Sequence, residues 1–454
     1  MAYLFERPEN FIGALLTPAE MGQADTLAND TPRLMQEAGW AVARVIMQRF
    51  RPAHTLVLTG PGHNGGDGKV AAHYLSRAGW PIEVKDFKAA TLAEVARAEL
   101  VIDAIFGAGL TRDIDPHTES LLRAAKRIVA IDVPSGLDGA TGQVRGYAPQ
   151  AALTVTFVRK KPGHLLFPGR ALCGELVLRE IGMPTQIIAR LAPTTWENGP
   201  SLFRLPPYKA TGHKYSHGDV TILSGTLPGA ARLAAMAARR AGAGMVSIAN
   251  ETAAPLPESG LILRRESLPV LLQDPRRTHW LVGPGLGVAE ASVALKTLLN
   301  QPSLQVLADA DALTACAGAP ERLRGVAVIT PHEGEFVRLF GPIGPDRLTA
   351  ARRAAALINA VLVLKGPDTI IAAQDGTAAI NANAPPFLAT GGTGDVLAGL
   401  IIALLARGMS AFTASCAGVW LHGEAALQAG PGLLAEDLPM HLGRLAQPDA
   451  SQQM

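Results

Sequence analysis

The sequence has few cysteines and no long apolar run. Its three cysteines, Cys173, Cys316 and Cys416, are scattered and odd in number, which argues against a disulfide framework and indicates a reducing compartment. The longest apolar run, residues 396–406, is too short to cross a bilayer. The opening residues, MAYLFERPEN, lack a basic region followed by an apolar core, so we expect no signal peptide. We therefore predict a soluble, cytoplasmic protein without a membrane partner.

The chain also lacks a strong net charge of either sign. Its formal charge is +2 over 454 residues, which gives no electrostatic basis for a nucleic-acid partner or for binding an anionic membrane. Only ten of its 41 basic residues are lysines, so a lysine within a glycine motif is informative. The length and the 48% hydrophobic content predict two or more domains with buried parallel strands.

One glycine-rich stretch, LATGGTGDVLAGLI at residues 388–401, leads into the longest apolar run. It predicts a loop over residues 391–394 that opens onto a helix. The unpaired N–H groups and the dipole of a helix start favour a bound anion, and glycine lets phosphate oxygens approach the backbone. Asp395 is then either a helix cap or a base that takes a proton from an attacking hydroxyl beside a bound phosphoryl group.

Strand-like and helical runs alternate in the first part of the chain. Thr17 and Glu20 form a predicted capping box around Pro18, and a second helix is predicted over residues 31–50. Strands are predicted at residues 55–59, 81–85, 100–102, 128–131 and 153–158. This alternation predicts a parallel sheet with helices on both faces.

The segment GPGHNGGDGK, residues 60–69, is predicted to be a loop between the first of these strands and a helix. Its glycines fit the GxGxxG pattern of an NAD-dependent dehydrogenase, but Asp67 stands where a pyrophosphate needs positive potential. A Walker A loop also fails, because His63 replaces its first glycine and Val70 its final Ser or Thr. The loop is therefore predicted to approach something other than a standard pyrophosphate.

Side chains with oxygen atoms follow neighbouring strands. Asp103 follows the strand at residues 100–102, and Asp132 and Ser135 follow the strand at residues 128–131. The carboxyl ends of parallel strands share one crevice, so Asn64, Asp103 and Ser135 could together bind a hard cation. The alternative is that the two aspartates only cap turns.

The second half of the chain repeats the alternation. Strands are predicted at residues 220–223, 280–282, 306–307, 327–329 and 361–364, each leading into a polar or glycine-rich loop. Lys365 beside Gly366 is suited to nucleotide phosphates, with a plain surface lysine as the alternative. His332 is either a ligand contact or a satisfied buried histidine.

A proline-rich segment at residues 183–208 is interpreted as a linker between two domains, residues 1–205 and 206–454. Both domains are predicted to be doubly wound α/β folds.

The motifs GPGHNGGDGKVAAHYL, DAIFGAGL and DVPSGLDGATG resemble those of the NAD(P)H-hydrate epimerase family over roughly residues 10–200. The resemblance implies a Rossmann-like domain that binds a hydrated nicotinamide dinucleotide and potassium. Potassium would contact Asn64, Asp103 and Ser135. The dinucleotide would contact His63, Asn64, Gly65, Gly66, Asp67, Gly107, Ala108, Gly109, Leu110, Thr111, Arg112, Asp113 and Asp132. His63 departs from the family, which has Asn there.

The motifs HKYSHGDV, GPGLG, DADAL, TPHEGEF, VLKGPDTII and ATGGTGDVLAGLI resemble, in content and order, those of the ADP/ATP-dependent NAD(P)H-hydrate dehydratases, a ribokinase-like family, over about residues 209–430. The resemblance implies nucleotide contacts at Lys365, Gly366, Pro367, Asp368, Thr369 and Gly394. It implies contacts to the hydrated substrate at Ala230, Gly285, Gly287, His332 and Asp395. The turn at residues 224–229 is shorter and less serine-rich than the family's.

Together the two resemblances imply a bifunctional repair enzyme. The epimerase would interconvert the R and S epimers of hydrated NADH and NADPH, and the dehydratase would restore the S epimer at the expense of ADP or ATP. Potassium and magnesium are the implied cofactors, and a homo-oligomer is predicted. Asp395 would activate the hydroxyl, while Lys365 and the amides of residues 391–394 would stabilise the transferring phosphate.

Within the epimerase, Asp132 is predicted to be the principal acid/base group, with Arg112 as a weaker electrostatic helper. The alternative is that Asp132 only binds a ribose or holds a turn. For the whole chain, one alternative function is a ribokinase-like small-molecule kinase fused to a non-catalytic nucleotide-binding scaffold, because relatives of the N-terminal domain serve as such scaffolds.

Overall fold

The computed structural model describes residues 8–208, 211–252, 255–256 and 258–446. Residues 1–7, assessed above for a signal peptide, and Lys209, where the dehydratase resemblance begins, lie outside these ranges, as do residues 447–454. The chain forms two compact units, an N-terminal unit over Glu9–Trp196 and a C-terminal unit that begins at Glu197. The division falls within the segment predicted to be a linker, before the predicted boundary at residue 205.

The N-terminal unit is a series of alternating helices and strands. Its helices are α1 (Pro18–Ala28), α2 (Thr31–Arg49), α3 (His63–Arg77), α4 (Leu92–Arg97), α5 (Pro116–Ala124), α6 (Gly169–Leu172) and α7 (Thr185–Leu191). Its strands are β1 (Ala14–Leu15), β2 (Thr55–Thr59), β3 (Ile82–Asp86), β4 (Leu100–Ala104), β5 (Ile128–Ile131), β6 (Leu153–Phe157), β7 (Glu175–Arg179) and β8 (Thr195–Glu197), in which the chain passes into the C-terminal unit.

The main sheet of this unit is parallel, in the order β3–β2–β4–β5–β6–β7. Separately, β1 pairs with β8 in an antiparallel arrangement. Because β3 and β4 lie on opposite sides of β2, the connections that leave β2 and β4 diverge. A crevice outside the carboxyl ends of these strands is the expected ligand position in such a sheet.

Side chains of the central strands alternate between two buried cores. Leu56 and Leu58 pack in one core with Val101, whereas Val57 packs in the other with Ile102 and residues of α2. Both faces of the sheet are therefore covered, as parallel sheets require. This confirms the predicted parallel sheet with helices on both faces.

Three local predictions for this unit were wrong. Helix α3 begins at His63, so most of the segment predicted as a glycine loop is helical. Asp103 lies within β4 rather than after it. The predicted linker contains α7, β8 and the fully buried Trp196, because its apolar residues alternate with prolines that only delimit short elements. The predicted capping box at Thr17 and the strand at Thr55–Thr59 are confirmed.

The C-terminal unit continues the alternation. Its helices are α8 (Pro228–Arg240), α9 (Leu268–Leu271), α10 (Val288–Leu299), α11 (Asp311–Thr314), α12 (Glu333–Phe340), α13 (Arg347–Ile358), α14 (Thr393–Ala406), α15 (Ala411–Ala429) and α16 (Leu438–Leu445). Its strands are β9 (Asp219–Leu223), β10 (Met245–Ala249), β11 (Ile262–Arg264), β12 (His279–Val282), β13 (Gln305–Ala308), β14 (Val328–Ile329), β15 (Val361–Leu364), β16 (Ile370–Ala372) and β17 (Ala378–Ile380).

These strands lie in the order β17–β16–β15–β14–β13–β12–β9–β10–β11. All strands from β15 to β11 in this order, including β9 and β10, are mutually parallel. Strands β16 and β17 add an antiparallel edge. The strand order reverses at β9, which places a second ligand crevice outside β9 and β12. Within the described ranges, no helix is both long enough and apolar enough to cross a bilayer.

Candidate active sites

A cavity of about 590 Å³ in the N-terminal unit opens at the carboxyl ends of β2, β4 and β5. Most of the predicted dinucleotide contacts line it, namely His63, Asn64, Asp67, Gly107, Ala108, Gly109, Leu110, Thr111, Arg112 and Asp132. Gly65, Gly66 and Asp113 are not among the lining residues of the described chain. A Cβ on Gly65 would lie 2.0 Å from the Gly60 carbonyl oxygen, and one on Gly66 would lie 2.6 Å from Met35, so these glycines serve close packing.

The three predicted cation ligands lie in the first turn of α3, at the end of β4 and in the loop after β5. Ser135 Oγ donates to Asp103 Oδ1 at 2.6 Å and its N–H donates to Oδ2 at 2.8 Å, and both residues are fully buried. Ser135 Oγ also accepts from the Phe106 N–H at 2.9 Å. Phe106 is followed by Gly107, and a Cβ on this glycine would lie 3.6 Å from Asn64. Asn64 is 8% exposed, and within the described chain neither atom of its amide forms a hydrogen bond.

The unpaired amide of Asn64 is an observation against which the predicted cation site can be tested. A buried polar group without a partner costs about 1–3 kcal/mol, so such groups are rare unless something outside the chain satisfies them. The oxygen of Asn64, with the oxygens of Asp103 and Ser135, is the kind of donor that hard cations take. The donor set therefore fits the predicted potassium ion.

Asp132 directly follows β5 with a φ of 65°, which few residues other than glycine adopt. Its Oδ2 accepts from the Ala108 N–H at 3.0 Å, and its Oδ1 accepts from Thr156 Oγ1 at 3.0 Å and from Lys161 Nζ. Burial alone would raise the pKa of Asp132, but the charge of Lys161 and these donors outweigh it and lower the pKa to about 2. Asp132 is therefore ionised at neutral pH.

Lys161 and His164, which hold Asp132 in place, were not predicted from the sequence. The Lys161 ammonium is buried and also donates to Thr156 Oγ1 at 3.0 Å. Its backbone N–H donates to His164 Nδ1 at 2.9 Å, so Nε2 carries the ring proton and donates to the Asp132 carbonyl at 2.8 Å. Burial, together with the Lys161 charge, lowers the pKa of His164 to about 4, which keeps the ring neutral. The available signal was a lysine pair shortly after β6 in a lysine-poor chain.

Two more carboxyl groups line this cavity. Burial, followed by repulsion from Asp132 and Asp25, raises the pKa of Asp67 to about 8. Burial also raises the pKa of Asp25, although His63 and Lys161 oppose it. At neutral pH the cavity therefore holds a protonated Asp67 and an ionised Asp132. Neighbouring acids with separated pKa values are typical of sites that transfer protons.

The second candidate site, in the C-terminal unit, is the start of α14. Gly392, with a φ of 90°, is the N-cap, and Asp395 lies in the first turn. Thr393 Oγ1 donates to the carbonyls of Leu388 at 3.2 Å and Thr390 at 2.9 Å, which fixes the loop before the helix. The predicted glycine-rich helix start is confirmed, but the helix begins at Thr393, so only Gly391 and Gly392 of the predicted loop precede it.

Lys365 follows β15 and lies among three carboxylates. Its Nζ donates to Asp309 Oδ1 at 3.0 Å, is 3.9 Å from Glu335 Oε2, and is 3.5 Å from the Cβ position of Gly394. Burial would lower the pKa of Lys365, but Asp309, Glu335 and Asp395 raise it, so the ammonium stays charged. Burial and the charge of Asp309 raise the pKa of Asp395 to about 6, against the pull of Lys365. The plain surface lysine is thus the wrong alternative.

The remaining predicted nucleotide contacts form a closed turn after Lys365. The Gly366 N–H donates to Thr369 Oγ1 at 3.2 Å, and that hydroxyl donates to the Gly366 carbonyl at 2.8 Å, which encloses Pro367. Asp368 is almost fully buried, with its Oδ1 at 3.5 Å from Arg347 Nη2. Asp368 therefore holds the turn through Arg347.

The predicted substrate contacts at the β9 and β12 loops are linked by hydrogen bonds. Gly285 and Gly287 have φ values of 60° and 99°. The Gly285 carbonyl accepts from the Leu227 N–H at 3.0 Å, and the Leu227 carbonyl accepts from Ala230 in the first turn of α8 at 3.3 Å. The Gly287 N–H donates to Asp311 at 2.9 Å. These contacts bring Ala230, Gly285 and Gly287 together at the strand-order reversal.

His332 is exposed, so the alternative of a buried histidine is wrong. Its Nδ1 accepts from the N–H groups of Gly334 at 2.9 Å and Glu335 at 3.3 Å, and it caps α12. Its backbone pairs with Lys365. The sequence motifs DADAL and TPHEGEF contained Asp309 and Glu335, but nothing in them showed which acids would face Lys365.

A helix start rich in glycine, with an acid in its first turn and a lysine beside it, is typical of sites that bind and transfer a phosphoryl group, and here it lies in a doubly wound α/β unit. The other unit has the strand-end cavity of a dinucleotide-binding fold.

Comparison with known proteins agrees with this class. The family described as NAD(P)H-hydrate dehydratase matches residues 220–447, and the family described as YjeF-related protein N-terminus matches residues 31–95 and 83–163. A bifunctional NAD(P)H-hydrate repair enzyme of Moorella thermoacetica is 35% identical, over 93% of this chain and 95% of the relative. One of Mycobacterium tuberculosis is 36% identical, over 87% and 85% respectively. The chain belongs to the family of bifunctional NAD(P)H-hydrate repair enzymes.

Among solved structures, this chain is similar to an ADP/ATP-dependent NAD(P)H-hydrate dehydratase from Bacillus subtilis that was co-crystallised with ATP and Mg²⁺. The two are 29% identical, with a TM-score of 0.45, over 53% of this chain and 93% of that one.

Proposed function

We propose that this chain repairs hydrated NADH and NADPH at two separate sites, with epimerisation at the N-terminal cavity and nucleotide-dependent dehydration at the start of α14. The predicted domains, residues 1–205 and 206–454, would carry these two activities. The observation that supports this most is the difference between the two aspartates. Asp132 is held ionised in a cavity lined by polar groups, whereas Asp395 is a stronger base at a helix start that favours phosphate.

The dehydration needs phosphoryl transfer because hydroxide leaves a saturated ring carbon poorly. Transfer of a phosphoryl group to that hydroxyl from ATP or ADP gives a good leaving group, which the lone pair of the ring nitrogen expels. Asp395 accepts the hydroxyl proton, while Lys365 and the amides of residues 391–394 bear the charge on the phosphoryl group. A pKa of about 6 leaves Asp395 ionised at neutral pH yet basic enough to take a proton.

The adenine nucleotide would lie against Lys365, Gly366, Pro367, Asp368, Thr369 and Gly394. Ala230, Gly285, Gly287 and His332 would contact the hydrated substrate. Magnesium is expected with the nucleotide and would neutralise its phosphates, with Asp309 and Glu335 as the carboxylates beside Lys365. Among the described residues no three His, Cys, Asp or Glu side chains gather as a metal-ligand set, so the phosphates would supply most of the ligands.

Potassium is proposed at Asn64, Asp103 and Ser135, where the unpaired Asn64 amide supports it. The charge of the potassium ion would hold in place the loops that line the cavity. The dinucleotide would be held by the segments 63–67 and 107–113, whose residues other than Gly65, Gly66 and Asp113 line the cavity, with Arg112 assisting electrostatically. The ionised Asp132 is proposed as the carboxylate member of the epimerase's acid/base pair.

The test is to incubate the protein with an epimeric mixture of hydrated NADH and either ATP or ADP. Complete recovery of the near-ultraviolet absorbance of the dihydronicotinamide ring is expected, because epimerisation feeds the R epimer to the dehydratase. Recovery that stops when the S epimer is consumed would remove the epimerase assignment. No recovery with either nucleotide would contradict the dehydratase assignment.

The cytoplasmic location, the homo-oligomer and the choice between ADP and ATP stay predictions. Chromatography with light scattering would measure the assembly, and initial rates with each nucleotide would measure the preference.

A further inference from the structure

The epimerase cavity contains a buried lysine that the nucleotide chemistry of the other unit does not involve. Lys161 is 3% exposed, yet it lines the cavity beside Asp132. Burying a lysine is costly, and proteins do so mainly where the ammonium is paired and used.

Epimerisation needs a proton donor as well as an acceptor. Loss of the ring hydroxyl as water requires a proton on the departing oxygen, while the ring nitrogen's lone pair forms a C=N bond. Asp132 is ionised far below neutral pH, so it carries no proton to give. The donor must be another group that reaches the same cavity.

The Lys161 ammonium has the geometry of that donor. One N–H goes to Asp132 Oδ1 and one to Thr156 Oγ1 at 3.0 Å. Within the described chain these are its side-chain hydrogen bonds, which leaves the third N–H for a ligand. The Thr156 hydroxyl in turn donates to Asp132 Oδ1 at 3.0 Å, so the three groups form a closed ring of hydrogen bonds.

The backbone of Lys161 and Asp132 is also held by hydrogen bonds to His164. His164 accepts from the Lys161 N–H at 2.9 Å and donates to the Asp132 carbonyl at 2.8 Å. It therefore ties the lysine to a residue whose φ is already in the left-handed region. Hydrogen bonds of this kind hold a reacting group in position, so that it need not reorganise during the reaction.

We propose that Lys161 is a catalytic proton-transfer residue of the epimerase, held in place by Asp132, Thr156 and His164. Its ammonium gives a proton to the hydroxyl as the C–O bond breaks, and the products are water, an iminium ring and a neutral amine. The amine takes a proton back as water adds to the other face of the ring carbon. Protons, electrons and water all balance, and no other reactant is needed.

The test compares Lys161→Met, Lys161→Arg and Asp67→Asn for exchange between the R and S epimers without nucleotide. We expect Lys161→Met to lower the kcat of exchange by about 10²-fold or more with KM nearly unchanged, the usual scale for a lost general acid. Lys161→Arg keeps the charge but is a far weaker proton donor, so it is expected to remain nearly as slow. A merely structural lysine would be rescued by arginine.

Removing Lys161 leaves the Asp132 charge unpaired, so folding needs its own control. Dehydration of the pure S epimer by the same variant reports only on the C-terminal unit, and a thermal melt reports on the N-terminal unit. If Lys161→Met does not fold, Lys161→Ala supplemented with small primary amines replaces it. Exchange rates that rise with amine concentration and depend on amine pKa are expected.

The role of Lys161 rests on the proposed epimerase function, and the two can fail separately. No exchange by the unmodified protein would overturn the epimerase assignment itself. Normal kcat in Lys161→Met, a raised KM alone, full rescue by arginine, or a larger loss in Asp67→Asn than in Lys161→Met would each overturn the role of Lys161. The last result would make Asp67 the donor.

Discussion

The two units each place a lysine near an aspartate at the carboxyl end of a parallel sheet, with opposite results. In the N-terminal unit Lys161 binds Asp132 directly, and the pKa of that carboxyl falls to about 2. In the C-terminal unit Lys365 donates to Asp309 instead, and the pKa of Asp395 rises to about 6. The same pair of residue types thus gives a fixed anion in one site and a usable base in the other.

The difference lies in how many carboxylates share the lysine. Among the described residues Lys161 forms an ion pair with one carboxylate, that of Asp132, whereas Lys365 pairs with Asp309 at 3.0 Å and lies 3.9 Å from Glu335. Burial raises the pKa of Asp395 most, and the repulsion of Asp309 raises it further against the attraction of Lys365. Because like charges raise the pKa of an acid and opposite charges lower it, the neighbours of a lysine decide the role of an aspartate.

The largest expected effect separates the two aspartates by activity. Asp395→Asn keeps the shape of the side chain but removes the proton acceptor, so we expect dehydration of the S epimer to slow by about 10²–10⁴-fold. Epimer exchange should be unchanged, because it uses the other unit. Asp375→Asn, in an exposed turn, is the matched control. Near-normal dehydration by Asp395→Asn would reduce this residue to a helix cap.

A smaller loss is expected from the cation site. Asp103→Ala removes a proposed potassium ligand and the acceptor of two Ser135 hydrogen bonds, so exchange should slow by about 10–100-fold. The measurement is the exchange rate against potassium concentration, with dehydration as the internal control. An exchange rate in the unmodified protein that ignores potassium would count against the site, as would unchanged potassium dependence in Asp103→Ala.

Much of this arrangement was accessible from the sequence. Most strand ends and the presence of a helix after the glycine-rich segment were predicted correctly, because apolar runs and capping residues act locally, but the end of β4 and the start of α3 were not. Asp132 was predicted from its place after a strand, and Asp395 from its place at the start of a helix.

The pairing of each lysine with its aspartate could not be predicted from the sequence. Lys161 is 29 residues from Asp132, and Lys365 is 56 residues from Asp309. Such pairs depend on the order of the strands in the sheet, in which β5 lies beside β6 and only β14 separates β13 from β15, and that order cannot be read from local periodicity. Strands β16 and β17 were not predicted, because they are short and contain alanine, which has a low β propensity.

A pH profile sharpens the comparison. The kcat/KM of dehydration should fall about tenfold for each pH unit below about 6, because protonated Asp395 cannot accept the hydroxyl proton. The exchange reaction should lack this limb, because Asp132 stays ionised down to about pH 2. Asp309→Asn should move the dehydration limb to lower pH, since it removes a repulsion and frees Lys365. The same limb in both activities would show that Asp395 is not its source.

The smallest expected effect is on stability, and it concerns the third acid of the N-terminal cavity. Folding raises the pKa of Asp67 from 3.8 to about 8, so the folded chain keeps a proton that the unfolded chain releases. The folded state therefore loses stability as the pH rises from about 4 to about 8. Asp132 has the opposite sign, because its stabilising charge is lost only as the pH falls toward about 2.

Asp67→Asn mimics the protonated acid and cannot ionise, so its Tm should exceed that of the unmodified protein at pH 8 and nearly equal it at pH 4. Each 1 kcal/mol corresponds to about 2–4 °C in a unit of this size, and a gain of that order is expected. Scanning calorimetry at both pH values measures it, with the exposed Glu99→Gln as control. A Tm difference that does not change with pH, or that is larger at pH 4, would mean that Asp67 is ionised in the folded cavity. Asp132 would then share the site with a second carboxylate anion, and the two units would no longer differ in how their charges are paired.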